Sequence, residues 1–380
     1  MPVNTRLSAR RNLASCAPAA LHQGTAMSSD AFIPNRERAA AANADIPVID
    51  ISPFFAGGKR TIVDEIARAC EEVGFFGIVG HGVHEDTIAA IYREGRAFFD
   101  LPRDEKMEIA RPAPAVSRGY NSLADQSLGN TLASGVPPDL QESFAIGPLS
   151  SGTGPYWTDA HGPIHFHPNM WPRRPPGFRG AVSAYYQSME ALAGRLARMF
   201  ALALDLPELF FVDKFDRHVS TMRLNFYPAQ PVAPLPGQIR AGAHSDYGAF
   251  TILRTEAAPG GLQVVRRGGS WIDVPNVPDG FVVNIGDLLM RWTNDRWVST
   301  VHRVINPPDA VRANATRMSV AFFQVPNHDI EVRCFESCTA PSNPPRYAPT
   351  TAGAHWRAKI VAARGEPLPP AVARTPVTAA

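Results

Sequence analysis

The sequence predicts an α+β protein built on a double-sheet β-sandwich or jelly roll, and three observations predict it. Before Arg217, apolar residues recur at helical spacing. Beyond Arg217 the texture changes to short β-rich runs separated by turns. About eight such runs follow one another, a number suited to two packed sheets. Helices first and strands later is an α+β layout rather than a series of βαβ units.

The elements follow in order. Residues 1–44 are set apart as a disordered or targeting-like tail: the first 29 include Arg6, Arg10 and Arg11 but no acid. That composition suits an organelle transit peptide, an extension, or an upstream start preceding Met27. No continuous apolar stretch marks a secretory signal. Residues 46–50 read as a strand whose Pro47 favours the start or edge of a sheet. Ile62, Ile66, Ala69, Cys70 and Val73 predict a helix over 61–73, stopped by Gly74. Residues 75–79 read as a buried strand, and 85–99 as a second helix before Pro102. The stretch 111–176 is rich in Pro, Gly and Ser and reads as long connections with a few short elements, a length usually tied to function.

Val182, Tyr185, Met189, Leu192, Leu196 and Met199 share one face of a long helix that starts near Phe178 and stops by Pro207. Residues 45–176 thus form an N-terminal region, and 177–216 a helix and connection. The β core spans 217–330, with strands over 221–227, 240–244, 250–254, 262–267, 271–274, 281–285, 300–305 and 318–325. Arg266-Arg267-Gly268-Gly269-Ser270 looks like a hairpin turn. Residues 331–380 form a Pro-rich extension with one helix over 352–363.

Composition narrows the function classes. With 45% hydrophobic and 19% charged residues the chain is an ordinary globular one, able to bury a sizeable core at 380 residues. A net charge of +2 makes nucleic acid or an anionic membrane poor partners, and no apolar run is long enough to span a bilayer. Cys16, Cys70, Cys334 and Cys338 hold one C-x3-C pair with no second pair to complete a zinc cage, so free thiols in a reducing cytoplasm are expected.

The chemistry gathers around Ala243-His244-Ser245-Asp246-Tyr247-Gly248. On a strand or its frayed end, residues two apart point the same way, so His244 and Asp246 can offer an imidazole and a carboxylate to one point. His302, in a strand-like run far downstream, can supply a third donor if a jelly roll brings the strands together. Two histidines and one carboxylate leave three open positions on an octahedral metal, which suits non-haem iron(II). Arg317-Met318-Ser319 places a guanidinium and a hydroxyl on one strand face, fit for a bidentate grip on a carboxylate. A structural salt bridge is the other reading of Arg317.

In combination, His244-x-Asp246, His302 and Arg317-x-Ser319 resemble the 2-oxoglutarate/iron(II)-dependent dioxygenases of the isopenicillin N synthase-like family. Arg223-Leu224-Asn225-Phe226-Tyr227-Pro228, Gly261-Leu262-Gln263-Val264 and Asn284-Ile285-Gly286-Asp287 are similar to further motifs of that family. So are Gly74-Phe75-Phe76, Arg118-Gly119-Tyr120 and Glu142-Ser143-Phe144 upstream. The resemblance covers roughly residues 45–330. It implies a double-stranded β-helix, a distorted jelly roll, with an N-terminal helical and mixed region packed on it. It implies iron(II) held by His244, Asp246 and His302, with O2 as oxidant. It also implies 2-oxoglutarate as cosubstrate, held by Arg317 and Ser319 with Tyr227 and Asn225 as helpers. The implied reaction oxidises a small molecule, by hydroxylation or desaturation, with release of succinate and CO2. Ser245 stands where the family commonly has threonine, and Gln230 where it commonly has cysteine.

Tyr120 and Phe323 are expected in the substrate pocket by family position, or as core filling by their aromatic character. His161, His165 and His167 sit in a Pro/Gly loop without an organised carboxylate and read as surface histidines. His81-Gly82-Val83-His84-Glu85 reads as a structural turn. Two other functions stay open: a same-fold oxidase that forms rings or ethylene without conventional use of 2-oxoglutarate, and a non-catalytic binding protein.

Overall fold

Period-two alternation organises the β core in the computed structural model, which describes residues 46–56, 59–133, 135–158 and 162–363. In β5 (Thr221–Tyr227) and β12 (Arg317–Gln324), Met222, Leu224, Phe226, Met318, Val320 and Phe322 enter the main apolar core. The alternate residues of both strands line a pocket on the opposite face. One face is therefore packed and the other chemical.

The other strands of the two larger sheets are β1 (Val48–Asp50), β2 (Phe75–Val79), β3 (Gly119–Asn121), β4 (Glu142–Ile146), β6 (Ala241–His244), β7 (Phe250–Thr255), β8 (Leu262–Val265), β9 (Trp271–Asp273), β10 (Phe281–Ile285) and β11 (His302–Val304). The major sheet has the order β1-β2-β10-β7-β12-β5-β4-β3, and the minor one β6-β11-β8-β9. Apart from the parallel pair β1–β2, the pairings within these two sheets are antiparallel. β1, with Pro47 just before it, lies on the edge as predicted. The β8–β9 hairpin turns at residues 266–270, where Gly268 and Gly269 take the positive φ that side chains avoid.

Three helices cover the back of the major sheet: Lys59–Glu72, Glu85–Phe99 and the 26-residue Phe178–Ala203. Phe200 of the long helix meets Phe76, Phe250 and Trp297 edge-on at 6.5, 5.0 and 5.4 Å between ring centroids. The helix ends at Ala203, where Asp205 takes a left-handed conformation before Pro207 is reached. The α+β expectation thus holds, with a double-stranded β-helix at its centre.

Residues 111–176 do more than connect. They contribute β3 and β4, and β4 pairs along β5, so the N-terminal region extends the same sheet that carries the core. Glu142-Ser143 at the start of β4 lacks apolar alternation, so the sequence pattern conceals this strand. His165, expected at the surface, is buried and stacks on His328 at 5.2 Å; His167 caps the carbonyl of Pro168. His161, Cys16 and the N-terminal tail lie outside the described residues. Cys70, Cys334 and Cys338 are free and buried. Among the described residues, no helix is long and apolar enough to cross a membrane.

Candidate metal centre and its pocket

His244 ends β6 and pairs directly with His302 of β11, so cross-strand register brings together two imidazoles distant in sequence. Their ring centroids are 4.4 Å apart. Asp246 follows in the loop, with Oδ1 at 3.9 Å from His244 Nε2 and 3.6 Å from His302 Nε2. One donor atom of each residue lies within 4.8 Å of the other two, and all three residues are buried.

Hydrogen bonds decide which atoms are free. His244 Nδ1 contacts the Gly242 carbonyl at 2.7 Å, and His302 Nδ1 the Thr300 carbonyl at 3.0 Å. A carbonyl only accepts, so both Nδ1 atoms carry a proton, and the neutral form of each ring has its lone pair on Nε2. Burial, with His302 alongside, pushes His244 down to about 4, which keeps its imidazole neutral at physiological pH. Asp246 Oδ2 accepts from Thr251 Oγ1 at 2.5 Å and Asn284 Nδ2 at 2.7 Å, leaving Oδ1 facing the histidines. Thr251 and Asn284 are themselves cross-strand partners on β7 and β10.

The loop bearing Asp246 is clasped from behind. Asp287 N–H donates to the Asp246 carbonyl at 2.8 Å, Gly286 N–H to Ala249 at 2.8 Å, and Leu288 N–H to Gly248 at 3.0 Å. A side chain at position 286 would strike the Gly248 carbonyl, so this close approach needs glycine. Asp287 is buried; burial raises its pKa, but Lys359 at 2.8 Å and His355 outweigh that and hold the carboxyl well below the usual range. Ser299 Oγ donates to its other oxygen at 2.8 Å. This network ties the C-terminal helix Ala352–Ala362 to the turn behind the donors.

The donor set fits a divalent cation. Asp246 is 5% exposed, and the only ion-pair contacts it makes among the described residues are to the two histidines. A buried carboxylate that faces two imidazole nitrogens and no full cation is costly until a cation joins it. Two nitrogens and one oxygen in this arrangement suit iron(II).

Arg317 and Ser319 line the same cavity, and the ladder sets Tyr227 opposite Arg317 and Asn225 opposite Ser319. Arg317 is buried, with Cζ 5.6 Å from the Tyr227 ring, and its Nε has no partner among the described residues. All seven predicted site residues therefore meet in one pocket, and Phe323 lines it too. Tyr120 does not. Its hydroxyl donates to the Glu142 carboxylate that Lys106 pairs at 2.8 Å, and its ring packs against Phe98 at 6.1 Å. Core filling is the reading that holds for it.

Sequence reasoning missed Thr251 and Arg223 as functional candidates, and it placed the C-terminal helix without giving it a role at the site, where it supplies Trp356 and Ile360 to the pocket wall. A signal existed for Asn284, a polar residue inside the apolar run Phe281–Ile285, and for Thr221, Arg223, Asn225 and Tyr227, a polar stripe at period two. Nothing local marks Trp356 or Ile360.

Residues 46–174 match the family model described as the N-terminal region of a non-haem dioxygenase in morphine synthesis. Residues 218–326 match that of the 2OG-Fe(II) oxygenase superfamily. The chain is 35% identical over 313 residues to the 2-oxoglutarate-Fe(II) type oxidoreductase hxnY of Emericella nidulans, covering 80% of this chain and 86% of that one. It is 35% identical over 306 residues to homoarginine-6-hydroxylase 2-ODD-C23 of Glycine max, covering 76% and 88%. Among solved structures, a full-length Neurospora crassa protein in complex with alpha-KG and 5-formyluracil superposes with a TM-score of 0.72 at 30% identity, covering 86% of this chain and 99% of that one.

Proposed function

The chain belongs to the 2OG-Fe(II) oxygenase superfamily, and on that premise we propose which residues perform an iron(II)- and 2-oxoglutarate-dependent oxidation of a small molecule. His244 and His302 hold the metal through Nε2 and Asp246 through Oδ1. Arg317 and Ser319 hold the distal carboxylate of 2-oxoglutarate, with Tyr227 and Asn225 flanking them. Bound there, iron(II) with 2-oxoglutarate and O2 supplies the oxidising power, with succinate and CO2 as coproducts.

The chain's own part is positioning. The carbonyls of Gly242 and Thr300 retain the Nδ1 protons, so neither histidine can rotate to present the wrong nitrogen without losing a bond. Thr251 and Asn284 orient Asp246 through the oxygen that the metal does not need. Trp356 and Ile360 help wall the pocket, which limits water and unproductive oxidation. Relatives named for hydroxylating homoarginine, or solved with 5-formyluracil, support a small-molecule substrate and hydroxylation as the outcome.

One observation carries the assignment: the hydrogen bonds of His244, Asp246 and the sequence-distant His302 leave their donor atoms facing one point. Anaerobic protein loaded with iron(II) and 2-oxoglutarate should develop a weak visible charge-transfer band. A panel of metabolites scored by succinate release then locates the substrate. Iron binding without the band, and without 2-oxoglutarate consumption, would favour the same-fold oxidases instead.

A further inference from the structure

Arg223 carries a charge that the assigned site leaves unmatched. It lies on β5 opposite Ala321, with its side chain on the pocket face. Nε donates to Ser143 Oγ at 2.9 Å, its only hydrogen bond among the described residues, and no carboxylate pairs with it there. The guanidinium is part-buried on the pocket wall, and burial lowers its pKa. The acid whose field reaches it is Asp139. That carboxylate is occupied by the backbone N–H groups of Gly242 and Leu128 at 2.8 and 2.9 Å, and burial raises it to about 6. It is a weak and indirect counter-charge.

On the function proposed above, the charges of the occupied pocket can be summed. Iron(II), Asp246, Arg317 and dianionic 2-oxoglutarate sum to zero. Arg111, another cation on the pocket wall, already pairs with Asp125 at 2.8 Å. Arg223 is left over by one positive charge on the wall of the pocket, where an anionic group of a ligand would meet it. The cosubstrate is poorly placed to be that anion. Arg317 sits opposite Tyr227, four strand positions from Arg223, or about 13 Å of extended chain.

The surrounding groups agree. Gln126 Nε2, Arg111 Nη1 and the Tyr247 hydroxyl are buried pocket donors with no partner among the described residues; Gln141 Oε1 is an unmatched acceptor on the same wall. Donors predominate, so the complement is rich in acceptors. Phe323, Trp356 and Ile360 add apolar surface for the body of such a ligand.

We propose that the substrate is a small organic acid whose carboxylate seats on Arg223. A guanidinium fork takes a carboxylate in plane through two parallel hydrogen bonds, and with Nε committed to Ser143 both Nη atoms stay available.

The test uses anaerobic holoprotein with iron(II) and 2-oxoglutarate. It is titrated with benzoate and benzamide, phenylacetate and phenylacetamide, and hexanoate and hexanamide, followed by perturbation of the charge-transfer band and by tryptophan fluorescence. In at least one pair the acid should bind about 10-fold tighter than its amide. Arg223→Gln should weaken the acid roughly 10- to 100-fold and the amide less than about 3-fold, with Arg223→Lys recovering part of the loss. Acids binding no tighter than amides throughout would overturn the proposal, and that comparison needs no variant. Equal weakening of both members by Arg223→Gln, or phenyl phosphate binding tighter than benzoate, would also overturn it. Absence of the band before any probe is added would instead strike the iron and 2-oxoglutarate assignment.

Discussion

At the scale of single residues, the site is a problem of lone pairs. His302 turns Nε2 toward the site because the Thr300 carbonyl accepts the proton on Nδ1. His302→Ala removes one of three donors, so iron(II) binding should weaken and turnover should vanish. Iron titration and substrate-dependent succinate release measure this, and retained release would refute the ligand assignment. Thr251 acts at one remove. Thr251→Val keeps the shape but deletes one of the two hydrogen bonds on Asp246 Oδ2. Iron(II) affinity should fall roughly 10- to 100-fold, the usual effect of losing such a support. An unchanged affinity would mean that Asn284 alone orients the carboxylate.

At the scale of elements, turns decide where the strands can aim. His81, in the turn after β2, is fixed in one neutral tautomer. Nε2 donates to the Asp279 carbonyl at 2.9 Å, and Nδ1 accepts from Val83 N–H at 3.1 Å. Burial pushes its pKa below the ordinary value, and a second proton would set a donor against the Val83 amide. The folded state therefore binds this proton less readily than the unfolded chain. The stability His81 contributes is complete above the unfolded pKa of about 6.5 and is lost as pH falls through that value toward the depressed one. Thermal denaturation should show the wild type losing stability between about pH 7.5 and about pH 5.5, and His81→Gln losing less. Parallel slopes for the two proteins would assign the acid sensitivity elsewhere.

At the scale of the molecule, the helical layer and the sheet share one core, and Phe200 sits where they meet, fully buried. Phe200→Ala should cost about 3–5 kcal/mol in denaturant unfolding. Because Phe200 packs behind the sheet and away from the pocket lining, iron(II) affinity of the folded variant should stay near wild type. A loss below about 1 kcal/mol would mean that the layers repack around the gap.

Much of this was present in the one-dimensional pattern. Helix Glu85–Phe99 and strand Thr221–Tyr227 follow from local periodicity, since packing one face imposes spacing on the chain itself, and strand Phe281–Ile285 follows from its short apolar run. His244, Asp246, His302, Arg317 and Ser319 were recognisable because a ligand set constrains residue types wherever they fall. Other features depend on partners that only folding supplies. The pairing of β4 with β5, the exclusion of Tyr120 from the pocket and the closure of its wall by Trp356 and Ile360 arise from contacts between distant segments. The unmatched charge of Arg223 belongs with them: local sequence names the guanidinium, but only tertiary packing decides which neighbours leave it without an anion.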